Sequence, residues 1–151
     1  MLLTNGTVIT MNASREIIEK GAVLIRGERI EDVGTAGELE RKYPEEERID
    51  CTGKLILPGF IDAHSHAGHC MNKALAYDCR SYWMPIMTKI YHFNTTNDYW
   101  YLEGRLAALE RLKSGVTCGV SVISNAQRID NVEIPVCHGN GYAEVGIREV
   151  L

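Results

Sequence analysis

Long apolar runs are missing from this sequence, and so is any concentration of positive charge. No segment approaches the roughly 20 apolar residues that span a bilayer as a helix, so no membrane partner is expected. Met1, Leu2 and Leu3 lead directly into Thr4-Asn5-Gly6, without the basic and then apolar regions of a secretion signal. Lys and Arg number 16 against 20 Asp and Glu, a formal net charge of −4. No Lys/Arg-rich run or basic, aromatic-studded strand occurs, so nucleic acid is not an expected partner either. The five cysteines (Cys51, Cys70, Cys79, Cys118, Cys137) are odd in number, widely spaced and never arranged as Cys-x-x-Cys. Free thiols in a reducing compartment fit that usage better than a disulfide framework. The expected location is the cytoplasm, where the Asn-x-Ser/Thr patterns at Asn5, Asn12 and Asn94 carry no meaning. Internal repeats and low-complexity segments are also missing. What remains is an ordinary globular composition, 45% hydrophobic and 24% charged over 151 residues.

The first third reads as short strands. Residues 2–11 are mostly β-branched and apolar, and Ala22 to Ile25 and Arg29 to Val33 flank a tight turn at Arg26-Gly27-Glu28. A single helical turn is expected from Glu38 to Tyr43. Two more short strands, Arg48 to Asp50 and Lys54 to Leu57, would surround Cys51-Thr52-Gly53. Short strands at this spacing suggest a β-sandwich or open barrel. The texture changes at Pro58-Gly59. Phe60 to His66 is a strand candidate, and Thr95 to Asp98 fits a variant capping box ahead of a helix. Leu102, Leu106, Leu109 and Leu112 recur on that helix and are expected to face inward, with Glu103, Arg105, Glu110 and Arg111 interleaved. Gly115 suits its C-cap, Val116 to Ile123 is strand-like, a second helix is expected near 142–146, and residues 147–151 begin another strand. Alternation of strand and helix from residue 60 implies a parallel α/β sheet or barrel.

His64-Ser65-His66 is the sharpest chemical feature. A strand alternates its side chains, so both imidazoles face one side and can grip one metal ion; imidazole suits zinc, iron and nickel alike. A His-x-His pattern alone arises by chance. Its place at the C-terminal end of the first strand of the α/β section, where barrel and open-sheet enzymes set their active sites, is what gives it weight. By the same alternation Asp62 is assigned away from the metal face, in a structural hydrogen-bonding role.

The run Leu57-Pro58-Gly59-Phe60-Ile61-Asp62-Ala63-His64-Ser65-His66 resembles the signature that opens the barrel of the amidohydrolase superfamily. Within it the chain is most similar to the branch of adenosine-type, cytosine and guanine deaminases and triazine hydrolases. Gly27-Glu28-Arg29-Ile30, Leu112 to Thr117 and Gly146 to Leu151 support the resemblance. It implies that residues 1–57 are the N-terminal half of a composite β-sandwich. Residues 58–151 are then the first βα units of an incomplete (β/α)8 barrel. His64 and His66 take the place of the family's first two metal ligands. Zinc is the implied metal, with iron or another divalent ion possible for the same ligands. The family's further histidines and its proton-moving aspartate lie on later strands, so no catalytic acid or base is expected within these residues. A barrel of this kind needs about 250 residues, and the chain is therefore expected to be an N-terminal piece, inactive by itself.

The complete protein is read as a metal-dependent hydrolase of C–N bonds in a small molecule, either deaminating a ring amidine or opening a cyclic amide, with oligomerisation expected. The rival reading is a non-catalytic relative used as a scaffold. On the substrate side, His69 is open to a contact with substrate or to packing in the loop, and Cys70 reads as a buried free thiol. Trp83 falls where nucleoside-type relatives set a tryptophan against substrate, with core packing as its alternative. Tyr82 and Ser81 stand before it, where those relatives have an acidic residue nearby. His92 and His138 read as ordinary loop histidines.

Overall fold

The structure is a computed structural model describing residues 1–67, 69–75, 77–123 and 130–151. Its contacts divide it into two units, Met1–Pro58 and Gly59–Leu151.

The first unit is one five-stranded sheet with a helix. β1 (Leu2–Ile9) is central, β2 (Ile17–Arg26) pairs antiparallel with it, and β3 (Arg29–Thr35) pairs antiparallel with β2. Arg26 pairs directly with Arg29, so Gly27 and Glu28 form a two-residue turn, and Gly27 takes the positive φ of 58° that such a turn demands. β4 (Arg48–Asp50) and β5 (Leu55–Ile56) run parallel to β1 on its other edge. Helix α1 (Ala36–Lys42) is longer than the expected turn; the Glu38 carboxylate accepts from both the amide and the hydroxyl of Thr35 and fixes its start. Strand alternation puts Leu2, Ala22 and Leu24 against Ala36 and Leu39 as a core. On the other face Leu3, Val23, Ile25, Ile30, Val33 and Ile56 line an apolar groove.

The second unit is a parallel sheet in the order β6 (Phe60–Ala67), β7 (Val116–Ile123), β8 (Arg148–Val150). Helix α3 (Asn97–Lys113) connects the first pair of strands and α4 (Glu133–Val145) the second, so the expected alternation is present. Thr96 caps α3 by accepting from the amide of Tyr99, while Thr95 accepts from the Trp100 indole. Gly115 follows α3 at φ 85° and Gly146 follows α4 at φ 90°, both in the left-handed region that glycine allows. On the open sheet face Ile61 and Val120 are exposed, whereas Val116 is half-buried.

Several expectations need correction. Leu102, Leu106, Leu109 and Leu112 do not face inward; all are exposed, at 46%, 37%, 46% and 42%. The buried face of α3 is Trp100, Glu103, Gly104, Ala107 and Ala108. Small residues are needed there because α4 passes close: a Cβ on Gly104 would strike the carbonyl of His138, and one on Gly141 the carbonyl of Tyr101. Helix α4 starts at Glu133 rather than near Tyr142, since Pro135 falls in the first turn, where no amide is required. His138 is therefore a helix residue, and fully buried. Helix α2 (Arg80–Met87) and the π-helical segment Thr88–Phe93 were not expected from the sequence, because Pro85 reads as a break. His92 falls in that segment rather than in a loop, and its side chain lies outside the described residues.

Candidate metal and substrate site

β6 carries the candidate site. Its register against β7 pairs Asp62 with Gly119 but Ser65 with Ser121, so three residues of β6 are matched to two of β7. This is a β-bulge, and it revises the reasoning about Asp62. Strict alternation would set residues 62, 64 and 66 on one face; the extra residue turns Asp62 to the same side as Ser65, toward α3. There Asp62 Oδ2 lies 3.3 Å from Arg111 Nε, and Oδ1 accepts from the His64 amide at 3.3 Å. The structural role stands, and the bulge is its cause.

On the other side, His64 and His66 converge: their Nε2 atoms are 3.2 Å apart and their rings meet edge to face at 5.0 Å. An N–H on one ring can donate to the other at this spacing, the tautomer deciding which. The spacing also suits shared coordination. Two nitrogens held at about 2.0–2.1 Å by a tetrahedral zinc lie roughly 3.3 Å from each other. Among the described residues no group of three or more His, Cys, Asp or Glu side chains could hold a metal.

The ring string continues from this pair. His66 lies 6.1 Å from His69, and His69 lies 5.6 Å from Trp83 with its plane tilted by 36°. The four candidate site residues, His64, His66, His69 and Trp83, thus form one string of neighbouring rings. Burial, and then the neighbouring His66, hold the His69 imidazole below its ordinary pKa. Trp83 remains 39% exposed, so it is a wall of this region rather than a core residue.

Glu103, interleaved with the leucines of α3, is completely buried. Its carboxylate accepts from the amides of Cys70 at 2.7 Å and Met71 at 2.8 Å. It thereby ties down the loop that carries His69. Burial, together with Glu103 and Glu110, pushes the Cys70 thiol up to about 12, so it stays a protonated thiol at neutral pH. Behind the histidines, Ser65 Oγ lies 2.9 Å from the Val120 carbonyl and 2.7 Å from Ser121 Oγ, and Ser121 Oγ contacts Glu149 Oε1. Glu149 is buried, and burial pushes its carboxyl up against the opposing pull of Ser121 and Arg111. Ser121 and Glu149 were not singled out in the sequence, and Glu103 was given no part in the site. Among the described residues no helix is long and apolar enough to cross a membrane.

Comparison with known proteins places this geometry in context. A family model described as the imidazolonepropionase-like composite domain of bacteria matches residues 21–45. A 5-methylthioadenosine/S-adenosylhomocysteine deaminase of Desulforamulus reducens is 36% identical over 124 residues, covering 78% of this chain and 28% of the relative. A protein of the same description from Bacillus cereus (strain 03BB102) is 31% identical over 116 residues, 75% of this chain and 26% of its own length. The chain therefore spans little more than a quarter of the curated relatives it matches. Among solved structures, a mutant atrazine chlorohydrolase from Arthrobacter aurescens TC1, complexed with zinc and atraton, superposes with a TM-score of 0.79 at 23% identity. Guanine deaminase from C. acetobutylicum, with bound guanine, gives 0.73 at 20%. Each covers 98% of this chain, which covers 34% of each in turn.

Proposed function

Because the chain belongs to the amidohydrolase superfamily and matches the N-terminal portion of its relatives, we propose that it supplies two metal ligands, His64 and His66, of a hydrolase acting on C–N bonds of a small, flat nitrogen-containing molecule. The observation that carries this reading is the 3.2 Å approach of the two Nε2 atoms at the end of the first strand of a parallel sheet. The donors fit zinc, since neutral imidazoles at this spacing occupy two corners of a tetrahedron. Zinc is also present in the atrazine chlorohydrolase that shares the fold. Iron or another divalent ion would suit the same pair. When bound, such a metal supplies Lewis-acid activation of water near neutral pH. The remaining ligands and the acid and base would come from parts of the relatives that this chain does not span.

In this reading the chain's own residues divide the work. His64 and His66 hold the ion through Nε2, and the Asp62 carboxylate steadies the His64 backbone. His69 and Trp83 form a tilted aromatic wall against which a planar ring can stack. Glu103 keeps the loop bearing His69 in place. The first unit contributes half of a composite sandwich whose second layer would cover the groove lined by Leu3, Val23 and Ile25. Such an enzyme would work in the cytoplasm and assemble as an oligomer.

The test is made on the protein that carries this chain. Replacing His64 or His66 by Ala should leave it folded and remove both its zinc and its release of ammonia from purine or triazine substrates. Retention of normal metal content and turnover by both variants would sink the reading. A folded parent that binds metal but turns over none of these compounds would favour the scaffold alternative.

A further inference from the structure

The face of β6 turned away from the histidine tips meets an unusual set of buried polar groups. Glu149 enters from β8 with its side chain 2% exposed, Ser121 from β7 is buried, and Arg111 from α3 is 15% exposed. Arg111 Nε bonds Asp62, its Nη1 stands 3.9 Å from Glu149 Oε1, and its guanidinium lies over the Tyr142 ring at 5.4 Å. Space has been kept for the carboxyl: a Cβ on Gly119 would come within 2.5 Å of Glu149 Oε2.

Counting protons makes the arrangement directional. Three contacts run in series: Glu149 Oε1 to Ser121 Oγ, Ser121 Oγ to Ser65 Oγ, and Ser65 Oγ to the Val120 carbonyl. Each contact needs one proton. The two hydroxyls bring two, and the terminal carbonyl brings none. Arg111 Nη1 is too far from Glu149 to supply the third. A protonated Glu149 would donate to Ser121, which donates to Ser65, which donates to Val120, and all three contacts are then made.

We propose that Glu149 is a positioning residue for the histidine pair: as a neutral carboxylic acid it heads this relay, which together with the Arg111–Asp62 pair fixes the bulged stretch of β6 and so aims His64 and His66 at one point. The relay runs through Ser65, between the two histidines, and the Asp62 carboxylate holds the His64 amide, so the network grips the strand ahead of the pair and within it. Burial of Glu149, which favours the uncharged form, agrees with the proton count. The consequence for metal binding rests on the reading of His64 and His66 as ligands, whereas the hold on β6 does not.

Two substitutions separate the possibilities. Glu149→Gln keeps a neutral group able to donate to Ser121, and Glu149→Leu keeps bulk without a donor. Amide hydrogen exchange at residues 62–66 of the metal-free protein, and zinc affinity, are measured for both. Leu should speed exchange at Ser65 and His66 roughly tenfold, as expected for one lost hydrogen bond. It should also weaken zinc binding by about 10–100-fold, the usual consequence of losing an outer support. Gln should stay close to the parent in both. If Leu leaves exchange unchanged, or Gln is damaged as badly as Leu, the proposal is overturned. Should the Leu variant fail to fold, Ser121→Ala breaks the middle link with little change of volume and must show the same local loosening. If the parent itself shows no zinc binding that depends on His64, the metal reading falls, and exchange in the metal-free protein still decides the role of Glu149.

Discussion

His138 is completely buried on α4, 6.2 Å from the Trp100 ring and 5.0 Å from that of Tyr142, and neither ring nitrogen has a hydrogen-bond partner among the described residues. Burial, with the Arg111 charge second, holds its pKa down to about 4. In the unfolded chain the same ring takes up its proton near 6.5. Between these values the unfolded state binds more protons, so stability is complete above about pH 6.5, declines as pH falls, and levels off below 4. The span corresponds to roughly 3 kcal/mol at most. His138→Phe retains the aromatic packing and removes the titration. Denaturation midpoints measured from pH 7 to 4.5 should therefore fall less steeply in the variant, and parallel slopes would refute the assignment.

Helix α3 shows where reading periodicity succeeds and where it fails. The helix and its closing glycine were legible from the leucine spacing and Gly115, and its start to within one residue from Thr95 to Asp98, the cap being Thr96; its buried face was not legible. Leucines at helical spacing point to a core only when the partner surface is broad and apolar. Here the partner is another helix, met through Gly104 and Gly141, with Glu103 and Arg111 turned in to serve the loop and the strand behind it. Charged residues in an amphipathic pattern read as solvated, and only the tertiary contacts reverse that. The histidine pair was legible because a strand end and a two-residue spacing are both local; Glu149, Ser121 and Glu103 were not, because their partners lie 28 to 56 residues away. The revised phase is testable. Leu106→Ala should cost less than about 1 kcal/mol, as at a largely solvated position. Gly104→Ala, which pushes a methyl into backbone, should cost about 1–3 kcal/mol. Urea melts showing the opposite ranking would restore the leucine face as the core.

At the scale of the molecule the two units differ in how far apart in sequence their strands pair. β1, β2 and β3 follow one another through short connections, whereas Ser65 meets Ser121 only after α3 and all that precedes it has been spanned. Closing long loops before their contacts reward it slows folding. In pulse-labelled hydrogen exchange during refolding, amides of Ile17–Arg26 should gain protection before those of Phe60–Ala67. Simultaneous protection would mean that the units fold as one.

The bulge in β6 also governs chain length. At one end Phe60 donates to the Gly115 carbonyl at 2.8 Å and Gly59 abuts the Thr117 side chain; at the other Ser65 is fastened to Ser121. Between these moorings the two strands match, five steps from Phe60 to Ser65 and five from Val116 to Ser121, because β7 carries its own extra residue, Thr117, beside the Phe60–Ile61 step. Without the bulge in β6 the two moorings compete. Deleting Ala63 would leave each neighbouring side chain on its present face yet make the strand too short to reach both, so one mooring must slip by a full residue. The histidines hold their place because two irregularities, one in each neighbouring strand, cancel between the moorings.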